Sequence, residues 1–361
     1  MAAFPSSPRG LRLLSLDGGG VKGLSELLIL ERLMYVLKEE SATYTTIPKP
    51  CEVFDIICGT STGGLIAILL GRLKLSVREA IVEYERLSKE IVSISQVQIR
   101  WIIEIDFGAP KSKMPGREAK YSATNFETVI KKLVKKHTGD ENTLLASADE
   151  VCKVFVCAQP ALNPDTSHPF IMRSFEGYSP LEDLTIWQAA RATSAAPTFF
   201  KQLVIGNHQF IDGGLGSNNP CRVLLKECQQ IYRKKPSCTV SCIISIGSGM
   251  PKNIGISELN GIGFSWLRDV VKTLSGMATD CEAINEEVAT WFKATPNLYY
   301  RFNVEQGLQD VEMDKHEKLN IVTAKTEGYL SKDVQQERLV QAAKALAVAD
   351  RGPCLVTELG K

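Results

Sequence analysis

The chain alternates short apolar runs with longer stretches in which apolar residues recur every three or four positions. Leu11–Leu16 is nearly continuous in apolar residues and is closed by Asp17-Gly18-Gly19-Gly20, so it predicts a buried strand; residues 22–38 then carry their apolar positions on one helical face. A second strand is expected over residues 53–58, with a helix straight after Ser61. Two strand–turn–helix units in succession predict a parallel sheet covered by helices. Further along, residues 78–94 and 125–137 read as amphipathic helices, 153–158 and 241–246 as strands, and 203–211 as a hairpin turning at Gly206-Asn207. Ser179-Pro180-Leu181-Glu182 predicts a helix start, with Ser as N-cap, Pro at the first helical position and Glu three residues after the cap. That helix should run toward Arg191 and stop before Pro197. The remainder is expected to be mostly helical, ending with residues 333–349. With no repeat and no low-complexity linker, the reading is one large α/β domain over residues 10–330. Residues 331–361 are expected to be a helical segment packed on it or leading to a further region.

Composition narrows the function classes. Of 361 residues, 44% are hydrophobic and 23% charged, and 42 basic side chains face 41 acidic ones. A net charge of +1 gives no global field for nucleic acid. The ten cysteines have no zinc-like spacing, and several lie in apolar strand-like runs, where thiols act as small core residues. The N-terminus has no apolar signal-like segment and no run is long enough for a membrane span. The expectation is a reduced, cytoplasmic protein that meets membranes at most peripherally.

The candidate chemistry begins at Gly59-Thr60-Ser61-Thr62-Gly63. This is GxSxG between a strand and a helix, the context of a nucleophile elbow, where small neighbours let a crowded turn expose one hydroxyl. The alternative is an unreactive tight turn. Gly18-Gly19-Gly20-Val21-Lys22-Gly23 fits the dinucleotide pattern GxGxxG, with Glu39 and Glu40 at about the required distance, but those residues end a helix and the next strand begins later. The run also fits an oxyanion hole, in which glycine N–H groups face a developing negative oxygen. A candidate serine in the next unit of the same sheet favours that second reading.

A serine nucleophile needs a base. The four histidines, His137, His168, His208 and His316, lie in no motif and read as surface or loop residues. Asp212 is better placed: it leaves an apolar strand and meets Gly213-Gly214, and Asn218-Asn219-Pro220 then opens a helix. An Asp-Gly turn is common in hairpins, so this signal alone is modest.

Taken in order, Asp17-Gly-Gly-Gly-Val-Lys-Gly23, Gly59-Thr-Ser-Thr-Gly-Gly64, Arg191-Ala-Thr-Ser-Ala-Ala-Pro197 and Asp212-Gly-Gly214 resemble the patatin-like phospholipase family over roughly residues 11–246. The resemblance implies a three-layer α/β/α fold with a mostly parallel sheet. It also implies metal-free and cofactor-free hydrolysis of lipid acyl esters. Ser61 would be the nucleophile, Asp212 its base, and the amides of Gly18, Gly19 and Gly20 the oxyanion hole. Lys22 stands where many members have arginine, and it would tether the loop or touch a headgroup. The implied substrate is a membrane or micellar glycerolipid. Residues 99–103, which include Trp101, and the basic loop 107–118 read either as a lipid-facing element or as a core strand beside a loop. Two rivals stay open: a nucleotide-binding enzyme using residues 18–23, and a partner- or oligomerisation-activated module of a larger receptor-like protein.

Overall fold

A computed structural model describes residues 9–105, 122–148, 151–162, 168–177, 181, 183–197, 199–250, 281–309, 311–312, 314–348 and 352–360, with side chains of the long helix described through residue 91. Among the described residues, nine strands form one sheet. Its centre is parallel: β1 (Leu11–Leu16) lies between β2 (Ile56–Thr60) and β7 (Thr239–Ile246), with β3 (Lys153–Pro160) beyond β2 and β8 (Tyr299–Phe302) beyond β7. Antiparallel pieces close the edges. β4 (Phe170–Arg173) and β6 (His208–Asp212) pair with β3, β5 (Leu203–Ile205) pairs with β6, and β9 (Cys354–Leu355) pairs with β7.

Strand alternation separates two cores. Leu14, Leu16, Ile57, Val154, Val156, Ile244 and Ile246 face one helical layer, while Leu13, Ile56, Cys58, Phe155 and Ile243 face the other. A parallel strand buried on both faces has no solvent side, which is why these runs are mostly apolar. The first layer holds α1 (Gly23–Glu40), α3 (Thr62–Ala67), α4 (Val77–Ile105), α5 (Ala123–Thr138), α6 (Ile186–Thr193), α9 (Leu319–Leu330) and α10 (Asp333–Ala347). The second holds α7 (Cys221–Tyr232) and α8 (Cys281–Trp291). The architecture is the three-layer α/β/α arrangement with a mostly parallel sheet. Residues past 331 contribute to both cores: Leu339, Ala342, Ala343 and Leu346 to the first, Cys354, Val356 and Leu359 to the second.

Several local expectations are corrected. The second strand starts at Ile56 because Pro50–Val53 forms a short helix, α2, whose N-cap residue Lys49 donates its backbone N–H to Glu52 Oε2 at 2.8 Å. The helix leading to Arg191 begins at Ile186, not near Ser179. Thr185 is its cap, accepting from Gln188 N at 3.3 Å while Gln188 Oε1 takes Thr185 N at 2.9 Å. Ser179, Pro180 and Glu182 lie outside the described residues. The helix expected over 78–94 extends to Ile105, so the backbone at Trp101 is helical and not a strand; its side chain and the loop 107–118 lie outside the described residues. The region after 246 also contains β8, whose arginine hid its strand pattern. Among the described residues no helix is long and apolar enough to cross a membrane.

Candidate active site

Ser61 occupies the turn between β2 and α3 with φ 55° and ψ −124°, a left-handed conformation costly for a residue with a Cβ. The neighbours explain how the chain tolerates it. A Cβ on Gly59 would overlap the backbone of Gly63, and one on Gly63 would overlap the carbonyls of Leu16 and Asp17. The elbow is thus pressed against the end of β1, and only glycine fits at the contacts.

The strained residue is held from α6. Thr193 Oγ1 accepts the Ser61 N–H at 2.8 Å and donates to the Cys157 carbonyl at 2.7 Å, tying the elbow to β3. Thr193 lies inside the segment 191–197 that the sequence singled out, but no local pattern assigns it this contact. Arg191, two residues earlier, fixes the same helix. It is 1% exposed, packs beside the touching rings of Phe126 and Phe200, and donates to the Lys201 carbonyl.

Asp212 ends β6, which runs antiparallel to β3 with Asp212 opposite Ala158. This pairing carries the carboxylate back over the sheet to Ser61. Ser61 Oγ donates to Asp212 Oδ2 at 2.7 Å, and Gly214 N–H donates to Oδ1 at 2.7 Å. Asp212 is 5% exposed. Burial raises its pKa from the ordinary carboxylate range to about 6, opposed by the hydrogen bonds from Gly214 and Ser61. A carboxylate with that value is a stronger base than a solvated one.

The glycine loop faces this pair from β1. Its carbonyls are held from behind: Asn218 Nδ2 donates to the Gly18 carbonyl at 3.1 Å, Ser248 Oγ to the same oxygen at 2.9 Å, and the Tyr84 hydroxyl to the Gly20 carbonyl. Because a trans peptide points its N–H opposite its carbonyl, holding these oxygens aims the following amides. The three amides expected to form an oxyanion hole are not equivalent. Gly18 N–H is committed to the Asn218 carbonyl at 3.1 Å, which narrows the candidate donors to the other two. Gly19 N–H donates to Thr62 Oγ1 at 3.0 Å, a hydroxyl that can turn away. Gly20, at φ 61°, has no hydrogen bond to its N–H among the described residues. Lys22 is half-buried in the 3-10 turn Gly20–Lys22, and its backbone N–H donates to the Gly19 carbonyl at 3.4 Å.

The sequence missed what lies beneath Asp17. Arg301 of β8 grips the Asp17 carboxylate with both terminal nitrogens, at 3.0 and 2.6 Å, and also donates to Ser245 Oγ at 3.0 Å and Glu282 Oε1 at 2.8 Å. Burial disfavours the charge on Arg301, but Asp17 and Glu282 beside it hold the guanidinium above its ordinary value. The only sequence signal was a charged residue inside the apolar run Leu298 to Phe302.

The histidines lie elsewhere. His137 Nε2 is 3.4 Å from Glu83, His316 is 3.3 Å from Glu317, His208 stacks near Phe210 in the hairpin and His168 is exposed before β4. Glu39 and Glu40 close α1 rather than β2, so the acidic partner of a dinucleotide site is not where that reading needs it. Among the described residues no cluster of His, Cys, Asp and Glu could hold a metal.

A family model described as patatin-like phospholipase matches residues 14–225. The chain belongs to the patatin-like phospholipase family. Human calcium-independent phospholipase A2-gamma is 25% identical over 351 residues, covering 95% of this chain and 41% of its own length. Phospholipase A I of Arabidopsis thaliana is 29% identical over 353 residues, covering 85% of this chain and 25% of its own. The chain therefore spans less than half the length of either. A third patatin-like relative, probable inactive patatin-like protein 9 of the same plant, is 26% identical over 262 residues, covering 67% of this chain and 62% of its own. Among solved structures, VipD from Legionella pneumophila matches with a TM-score of 0.34 at 11% identity, over 90% of this chain and 67% of that one.

Proposed function

We propose that the chain is a serine-dependent lipid acyl hydrolase, a carboxylic ester hydrolase of phospholipase A type acting on membrane or micellar glycerolipids. One observation carries this reading: the 2.7 Å hydrogen bond from Ser61 Oγ to a buried Asp212, at an elbow that faces the glycine loop. Family membership and the names of the phospholipase relatives support the substrate class. The reading takes the protein to be cytoplasmic and to meet aggregated lipid peripherally.

In the proposed reaction Asp212 removes the Ser61 proton as Oγ attacks the ester carbonyl. The carbonyl oxygen becomes the oxyanion and is met by the Gly19 and Gly20 amides, with Thr62 Oγ1 releasing Gly19. Collapse breaks the ester bond, and the leaving alcohol takes the proton from Asp212. Water then attacks the acyl-serine with Asp212 again as base, releasing the fatty acid and restoring Ser61. Charge stabilisation by backbone amides needs no calcium, so turnover should persist in excess chelator. Lys22 acts in this reading as a loop tether or a contact for a lipid headgroup.

Fluorophosphonate labelling followed by peptide mapping tests the assignment. Ser61 should carry the label, and Ser61→Ala should fold normally while losing several orders of magnitude in rate. A label elsewhere, or more than a few per cent of the activity remaining, would overturn it. A second reading is a module switched on by a partner or by oligomerisation. The human relative extends well beyond the 41% of its length that this chain matches. That case gives a labelled Ser61 with turnover appearing only on assembly.

A further inference from the structure

Arg301 lies two strands away from β1, yet its side chain ends at Asp17, the residue before the glycine loop. The strand register explains the reach. Ser15 pairs with Ser245, and Ser245 pairs with Arg301, so the three side chains form one row on the same face of the sheet. Ser245 Oγ supports the guanidinium where it crosses β7, at 3.0 Å. The fork then closes on both oxygens of Asp17, a two-point contact that fixes orientation as well as position. Asp17 is 1% exposed and its own N–H donates to the Ile246 carbonyl at 3.1 Å. The residue directly before the glycines is therefore clamped at main chain and side chain together. Glu282, at the start of α8, completes the far side of the guanidinium at 2.8 Å and also accepts from Asn303 Nδ2 at 2.7 Å.

We propose that Arg301 is a positioning residue for the oxyanion loop: by locking Asp17 it fixes the direction in which the Gly19 and Gly20 amides point. The inference rests on the acyl-hydrolase reading above. It reaches beyond it by making β8, outside the matched residues 14–225, part of the machinery that stabilises the transition state. A preorganised donor matters only when negative charge develops, so losing the clamp should lower kcat and leave substrate binding alone. Misaiming a donor by about 1 Å can cost on the order of 10²-fold. Lysine cannot replace the arginine, because it lacks the planar fork.

The experiment compares wild type with Arg301→Lys and Glu282→Gln in the full chain. Wild-type labelling of Ser61 and turnover of a micellar ester come first, and their absence would sink the acyl-hydrolase reading and not this inference. Each variant is then measured for thermal midpoint, kcat, KM, and affinity for two probes. One is a trifluoromethyl ketone lipid, which accepts Ser61 Oγ at its carbonyl carbon and leaves a tetrahedral oxyanion in the hole. The other is a non-hydrolysable ether analogue of the substrate. Arg301→Lys should lose about 10²-fold in kcat with KM unchanged within twofold, weaken the ketone by a matching factor and leave the ether analogue unaffected. Glu282→Gln, which keeps the side chain's shape and loosens the guanidinium, should move kcat and ketone affinity together by a smaller factor, and it decides the matter if Arg301→Lys does not fold. Folded variants with near-normal kcat, or with lower kcat but unchanged ketone affinity, would overturn the proposal.

Discussion

Thr193 Oγ1 sits between Ser61 N and the Cys157 carbonyl, at 2.8 and 2.7 Å, and bridges the strained elbow to the neighbouring strand. One hydroxyl satisfies two buried backbone groups and fixes the proposed nucleophile in a left-handed conformation.

Replacing Thr193 by Val keeps the shape and removes both bonds. An unpaired buried N–H and carbonyl should lower stability by roughly 1–3 kcal/mol. The released elbow should also slow acylation by about 10- to 100-fold. Thr193→Ser keeps the hydroxyl and should retain most of the rate. Thermal melts and burst-phase acylation with a chromogenic ester would decide, and a Thr193→Val protein acylating at the wild-type rate would exclude this role.

Asp212, with its pKa raised from 3.8 to about 6, gives a pH dependence in both activity and stability. The base must be ionised, so kcat/KM should fall as pH drops through about 6. Stability runs the other way. A raised carboxyl pKa means the folded protein binds its proton more tightly than the unfolded chain does. Its favourable contribution is complete below about pH 4 and is lost as pH rises to about 6. Two pKa units correspond to on the order of 3 kcal/mol. Asp212→Asn, unable to ionise, should therefore be inactive yet more stable than wild type at pH 8, with the advantage gone near pH 4. Melts across that range check the sign, and an Asn variant less stable at pH 8 than at pH 4, relative to wild type, contradicts it.

A Cβ on Gly19 would overlap the Ser248 side chain, which itself holds the Gly18 carbonyl. Gly19→Ala should push the loop away from Ser61 and lower kcat by roughly 10²- to 10³-fold, the usual effect of losing an oxyanion donor. Steady-state kinetics with the same ester tests this; a near-normal kcat would remove Gly19 from the hole.

No histidine should be needed. Among the described residues the Asp212 carboxylate accepts from Ser61 Oγ and Gly214 N–H, and His137, His208 and His316 contact Glu83, Phe210 and Glu317 instead. Each of His137, His168, His208 and His316 replaced by Ala should keep most of the wild-type acylation rate. If one of them abolishes the burst while Asp212→Asn does not, the Ser–Asp assignment falls.

How much of this was legible in the residues depends on how local the signal is. The apolar runs of β1, β2, β3 and β7, and the serine between glycines at 59–63, are set by neighbours within a few positions. The order of the four motifs then pointed to one site on one sheet. The hairpin at Gly206-Asn207 was equally local, since its turn requires the positive φ that Gly206 adopts. The start of α6 differs from the expectation because Ser179-Pro180 and Thr185 both carry capping chemistry in the sequence, and the cap of α6 is Thr185. β8 escaped because a strand containing Arg301 looks polar until a partner 284 residues away neutralises it. The committed amide of Gly18 and the grip of Thr193 on Ser61 were invisible for the same reason. Sequence by itself determined which residues are candidates for reaction and which turns could expose them. The tertiary structure alone decided which backbone donors stay available and which distant side chains hold them, because those choices are made by hydrogen bonds between strands and loops far apart in the chain.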